Sequence, residues 1–200
     1  FDVVSTGMIL SAEQAALVSD FCEQSAKKGA LVFVDPIMGD EGKLYNGVGE
    51  ETIAHMRKMV AVADCIVPNY TEAAYLADVP YHEDMTEEEA CALTIRLHEM
   101  GAKSVVVTSA KVDGENCVVG YDGTEGEFFR IPFDLIPVRF VGTGDIFAAV
   151  MLGRLVDGVP LQESTHRAMD AVRTMIDRNR DKEDKYLGIP IETCLEVLDE

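Results

Sequence analysis

Apolar residues along this chain switch repeatedly between two spacings. Short unbroken runs at Val3-Val4, Leu31-Val32-Phe33-Val34, Cys65-Ile66-Val67 and Ser104-Val105-Val106-Val107-Thr108 have the form of strands covered on both faces. Between them, apolar positions three and four apart predict helices. Ala15, Val18, Cys22 and Ala26 follow a Ser11-Ala12-Glu13-Gln14 capping box, and helices are expected at 50–63 and 69–78. Another opens at Thr86-Glu87-Glu88-Glu89 and stops at Gly101. The glycine-rich stretch 36–49 predicts a loop, and 116–121 with 127–132 predict a hairpin around Asp122-Gly123-Thr124. Helices at 145–156, 161–180 and 191–198 complete the pattern. Strand–helix alternation with buried strands implies one α/β domain built on a largely parallel sheet.

Composition narrows the function classes. Hydrophobic residues make up 48% of the 200, enough for an ordinary core and too many for a disordered chain. Thirty-six acids against 17 Lys and Arg give a net charge of −19, a field that repels nucleic-acid backbones and anionic membranes. No apolar run reaches the length of a membrane span, and no basic segment of signal-peptide form opens the chain. The five cysteines are odd in number and lack CxxC spacing, so they read as reduced thiols of a cytoplasmic protein. The chain opens at Phe1, without a methionine, in a strand already under way, which leads us to expect that N-terminal sequence is missing.

In folds of this class, ligands sit beyond the carboxyl ends of the strands. Asp35 follows one strand, Asn69 a second and Thr108-Ser109 a third, and Gly142-Thr143-Gly144-Asp145 follows a further extended segment. Carboxylates, an amide, hydroxyls and a flexible backbone suit a metal–phosphate site. The two glycines of Gly142-Thr143-Gly144 let backbone amides converge at a helix mouth, where an anion is stabilised. Asp145 beside them is placed to take a hydroxyl proton, or else to cap the helix; local spacing leaves both readings open. The GxxxxGK[ST] spacing of a P-loop is absent. Asn69 and Glu72 have the form of a capping box, yet the same two side chains suit a hydrated Mg²⁺. Asp35-Pro36-Ile37-Met38-Gly39-Asp40 sets two more acids around a rigid turn. His55, His82, His98 and His166 lie in polar surroundings without ligand spacing.

Taken in order, these segments resemble the pyridoxal kinases, the vitamin B6 kinases of the ribokinase-like superfamily. Ser5-Thr6-Gly7 is similar to the segment after an early family strand. Asp35 to Asp40 resembles the Asp-Pro-Val-Met-Gly-Asp motif, and Pro68-Asn69-Tyr70-Thr71-Glu72 the PNxxE motif. Val107-Thr108-Ser109 resembles the nucleotide-side hydroxyl pair, and the stretch from Phe140 to Ala149 is similar to the family's glycine turn. The resemblance implies a three-layer ribokinase-like fold and transfer of phosphoryl from ATP to the 5′-hydroxymethyl group of pyridoxal, pyridoxine or pyridoxamine. It implies that Asp145 is the base and that Gly142, Thr143 and Gly144 form the anion hole. Asn69 and Glu72 would organise Mg²⁺, with Asp35 and Asp40 on the same side. Thr108 and Ser109 would meet ATP phosphates or a monovalent cation such as K⁺, and Tyr45 would close over the phosphates. Adenine would lie against an apolar wall between the hairpin and the glycine turn. A homodimer is implied as well.

The family's chain begins well before Phe1, and that part supplies early strands and side chains that grip the pyridoxal ring. Three other readings compete. A hydroxymethylpyrimidine kinase of thiamine synthesis would use the same chemistry, although Asp145 within Gly-Thr-Gly-Asp favours the B6 branch; a sugar kinase fits the Asp-Pro-Ile-Met-Gly-Asp motif less well. A non-catalytic nucleotide-binding fragment would bind nucleotide without turnover.

Overall fold

Six strands of the first 133 residues pair into one sheet in the spatial order Val3–Thr6, Leu31–Val34, Cys65–Ile66, Ser104–Val112, Glu115–Asp122 and Glu127–Pro132. The structure is a computed structural model and describes residues 1–198. The chain divides into two compact units, Phe1–Phe133 and a second from Asp134 onward, each taken here by itself. In the first unit β1 (Val3–Thr6), β2 (Leu31–Val34), β5 (Cys65–Ile66) and β6 (Ser104–Val112) run parallel. The sheet then continues antiparallel through β7 (Glu115–Asp122) and β8 (Glu127–Pro132). The parallel strands are the continuous apolar runs of the sequence, and Val32, Phe33, Val34, Val105, Val106 and Val107 are wholly buried.

Parallel strands need crossovers, and helices supply them: α1 (Ala12–Ala26), α2 (Glu50–Val60), and α3 (Tyr70–Ala77) with α4 (Glu87–Glu99). Each helix packs on the next in that order. Capping fixes their starts. α3 and α4 open with complete capping boxes, Asn69 with Glu72 and Thr86 with Glu89. At α1 the Ser11 hydroxyl accepts the Gln14 N–H as expected, but Gln14 returns its bond to the Leu10 N–H. After α4 the chain turns at Gly101, with φ 123°; a Cβ there would lie 2.8 Å from the Ala61 backbone, so only glycine fits.

Three elements differ from the pattern's expectation. The stretch 36–49 contains a small hairpin, β3 (Gly39–Asp40) with β4 (Lys43–Leu44), turning on Glu41 and Gly42 at φ 52° and 75°. Two consecutive positive φ angles are the geometry of a two-residue turn matched to strand twist. Next, β6 does not end at Thr108 but runs to Val112. Its register shifts between Val107 and Ala110, with Ser109 at φ 56°, so one bulged residue breaks the alternation without breaking the strand.

In the second unit α5 (Thr143–Val156) and α6 (Leu161–Asn179) pack together, with Phe140, Ile146, Ala171 and Met175 in their core. The third difference lies here. In place of a helix over 191–198 there are two short 3₁₀ turns, Ile191–Thr193 and Leu195–Leu198, because Cys194 between them leaves helical geometry at φ −131°. All five cysteines are free thiols, and no described helix is long and apolar enough to cross a membrane.

Candidate active site

At the carboxyl ends of β2 and β5, the first unit brings the acidic turn and the PNxxE-like segment into direct contact. Asp35 leaves β2 with its N–H donating to the Thr6 carbonyl at 3.1 Å, and Pro36 then swings the chain toward α3. There the Glu72 carboxylate, only 3% exposed, gathers three backbone donors. Its Oε1 accepts the N–H of Met38 at 2.9 Å and of Gly39 at 3.4 Å, and its Oε2 accepts that of Asn69 at 2.8 Å. Asn69 answers on both sides. Its Oδ1 accepts the Glu72 N–H at 3.0 Å, and its Nδ2 donates to the Gly39 carbonyl at 2.8 Å. The capping box is thus complete and also ties the β3–β4 hairpin to the start of α3.

Glu72 is electrostatically unusual. Burial pushes its carboxyl up to about 7, with the nearby Asp35 charge acting in the same direction. The N–H groups of Met38, Asn69 and Gly39 act against burial by favouring the ionised form. Asp40 lies in β3, its Oδ1 accepting the Glu41 N–H at 2.9 Å; Tyr45, just past β4, donates its N–H to the Met38 carbonyl at 2.9 Å and is 43% exposed. Thr108 and Asn69 face each other in a parallel bridge, and the Thr108 N–H donates to the Pro68 carbonyl at 2.9 Å. Asp35, Asn69 and Glu72 therefore lie beyond the carboxyl ends of β2 and β5, Asp40 and Tyr45 on or just past the hairpin fastened there, and Thr108 and the exposed Ser109 inside β6 at its bulge.

Can such a group hold magnesium? Among the described residues no three His, Cys, Asp or Glu side chains are grouped as an all-protein metal cage. Mg²⁺ does not require one, since it keeps several waters and takes one or two carboxylates plus phosphate oxygens. Asp35 supplies a hard oxygen donor of the kind such an ion takes, while the Glu72 and Asn69 oxygens already accept backbone N–H groups and would meet an ion that arrives with nucleotide phosphates through its water shell.

The glycine turn belongs to the second unit. Gly142 is the N-cap of α5 at φ 85°, the left-handed region, and no side chain caps that helix end. First-turn N–H groups are thus available to a ligand, at the positive end of the helix dipole. A Cβ added at Gly144 would meet nothing within 4 Å, so the approach to these groups is open. Asp145 is exposed in the first turn, and its Oδ2 lies 3.7 Å from where a Gly142 Cβ would be, so the carboxylate folds back over the turn. The Thr143 hydroxyl reaches the Phe140 carbonyl at 3.5 Å.

Sequence reading missed several parts of this arrangement. The N–H groups of Met38 and Gly39 and the Thr71 hydroxyl, which accepts the Gly42 N–H at 2.8 Å, carry much of the fastening. Gly39 and Gly42, three apart, were the available signal: a Cβ at Gly39 would lie 2.3 Å from the Lys43 carbonyl oxygen. His55, expected in polar surroundings, is instead buried on α2, where Ala54 and Met56 flank it in sequence.

The family described as phosphomethylpyrimidine kinase matches residues 1–188. The pyridoxal kinase of Arabidopsis thaliana is 33% identical over 171 residues, covering 82% of this chain and 53% of its own length. The chain spans about half the length of the curated relatives it matches. A Bacteroides thetaiotaomicron protein, provisionally assigned as a phosphomethylpyrimidine kinase and solved with pyridoxal, superposes with a TM-score of 0.93 at 33% identity, over 100% of this chain and 71% of that one. The pyridoxal kinase of Lactobacillus plantarum superposes with a TM-score of 0.84 at 28% identity, over 100% and 71%. By its matched residues, its ordered motifs and its fold, this chain belongs to the phosphomethylpyrimidine kinase family, whose relatives here include pyridoxal kinases.

Proposed function

We propose that the protein transfers the γ-phosphoryl group of ATP to the 5′-hydroxymethyl group of a B6 vitamer: pyridoxal, pyridoxine or pyridoxamine. The observation that carries this reading is the uncapped, glycine-lined start of α5 with Asp145 folded over it. Phosphoryl transfer asks a protein mainly for positioning and charge stabilisation. Asp145 accepts the hydroxyl proton as the substrate oxygen attacks phosphorus, and the N–H groups of the Gly142–Thr143–Gly144 turn stabilise the charge on the phosphoryl oxygens. In the first unit Asp35, Asn69 and Glu72, with Asp40 nearby, would hold Mg²⁺, which neutralises phosphate charge when bound. Tyr45 packs on the phosphates from the hairpin. Thr108 and Ser109 meet the phosphates or a K⁺ ion. The net charge of −19 does not oppose ATP binding, because remote charges are screened over about 8 Å at physiological salt. A cytoplasmic location, in keeping with five free thiols, and a homodimer belong to the same reading.

The description of the matched family favours one second reading, a hydroxymethylpyrimidine kinase of thiamine synthesis. Incubation with ATP, Mg²⁺ and a panel of the three vitamers and hydroxymethylpyrimidine separates the two. A phosphorylated B6 product is expected. Phosphorylation of the pyrimidine alone would replace the reading, and ATP binding without any product would leave a nucleotide-binding fragment.

A further inference from the structure

The tip of the β3–β4 hairpin is gripped from the α3 side by two groups with no assigned part in the chemistry. The Gly42 N–H donates to Thr71 Oγ1 at 2.8 Å, and Thr71 is buried in the first turn of α3. The Tyr81 ring lies against the same glycine: a Cβ on Gly42 would sit 2.9 Å from its Cδ1. Tyr81 in turn stacks on Tyr70, with ring centroids 4.8 Å apart and planes at 30°. The Tyr70 hydroxyl accepts the His82 N–H at 3.2 Å, which binds the loop carrying Tyr81 to the first residue of α3.

We propose that Thr71 and Tyr81 are positioning residues that lock the β3–β4 turn onto α3 and so set Asp40 and Tyr45 for the nucleotide; this rests on the kinase reading above. A hairpin of two-residue strands has no stability of its own in water. Glu72 and Asn69 hold its base through Met38 and Gly39, one step short of the Glu41-Gly42 turn. Thr71 and Tyr81 fasten the turn itself. Asp40 lies one residue before the fastened turn, and Tyr45 follows the returning strand. The fastening is contact rather than charge, because burial and the acids Asp40, Glu83 and Glu41 push the Tyr81 phenol upward and keep it neutral.

Thr71→Val deletes the acceptor and keeps the shape. Amide exchange followed by NMR in the full chain should show the Gly42 N–H exchanging about 5–10-fold faster, the loss expected for one hydrogen bond. The Kd for ATP with Mg²⁺ should weaken by about 3–10-fold while kcat changes less than about twofold, and Thr71→Ser should restore both. Unchanged Gly42 exchange would overturn the lock, and faster exchange with an unchanged Kd would overturn its positioning role. Tyr81→Leu removes the ring from Gly42 at a position that is itself 39% exposed. If Thr71→Val unfolds, Tyr81→Leu decides by the same Kd and by exchange of the Tyr45 amide. A wild-type chain that binds no ATP also overturns the proposal. A Kd that follows Gly42 exchange in a chain that transfers no phosphoryl group upholds the positioning role and defeats only the catalytic reading.

Discussion

Replacing Glu72 by glutamine removes one charge and one acceptor while keeping the outline of the side chain. The glutamine Oε1 can still take the Met38 and Gly39 N–H groups, but its amide nitrogen then faces the Asn69 N–H, donor against donor. One buried donor opposed in this way costs about 1–3 kcal/mol. Against it stands the charge that the wild type must bury. A carboxyl raised from 4.5 to about 7 binds its proton more tightly folded than unfolded. The associated stability is therefore complete below about pH 4.5 and is lost as pH rises through about 7. Between about pH 5 and about pH 8 the wild type forfeits about 2–3 kcal/mol that the glutamine variant never had. Urea unfolding of both proteins in metal-free buffer at the two pH values reads the difference. The variant should be the less stable at the lower pH and should draw level with, or overtake, the wild type at the higher. An equal gap at both would mean that Glu72 titrates like an exposed carboxylate. A gap that widens with pH would mean that the three N–H donors outweigh burial.

Other expectations follow from the second unit and the hairpin. Gly144→Ala adds a methyl group where nothing lies within 4 Å, so its thermal unfolding should match or slightly exceed that of the wild type. The same methyl stands over the proposed anion hole, and kcat should fall by about tenfold or more; full activity would move the phosphoryl group elsewhere. Gly142→Ala, by contrast, meets a left-handed backbone at φ 85° and should lose about 1 kcal/mol or more of stability, measured by denaturant midpoint. Gly39→Ala drives a Cβ into the Lys43 carbonyl at 2.3 Å and should weaken ATP binding by opening the hairpin; an unchanged Kd in calorimetry would detach β3–β4 from the nucleotide.

How much of this was legible in the sequence depended on how local the signal was. The parallel strands announced themselves as unbroken valine-rich runs, and the Asn69 and Thr86 caps as residues three before a glutamate. The hairpin in 39–44 was hidden because its strands are two residues each, too short for any alternation. The continuation of β6 was hidden by the bulge at Thr108-Ser109, although the Asp113-Gly114 pair that closes its turn to β7, at φ 50° and 82°, was there to be read. The double work of Glu72 lay beyond local reading. A capping glutamate is visible from spacing, but its grip on Met38 and Gly39 joins residues more than thirty positions apart and exists only once β2 and β5 have paired.

The central claim rests on Asp145, and the most direct measurement is single-turnover phosphoryl transfer from ATP to pyridoxal in the wild type and in Asp145→Asn. Phosphorylated pyridoxal should form with the wild type and slow by about 10²–10⁴-fold in the variant, with ATP still bound. Near-normal transfer by Asp145→Asn would contradict the account.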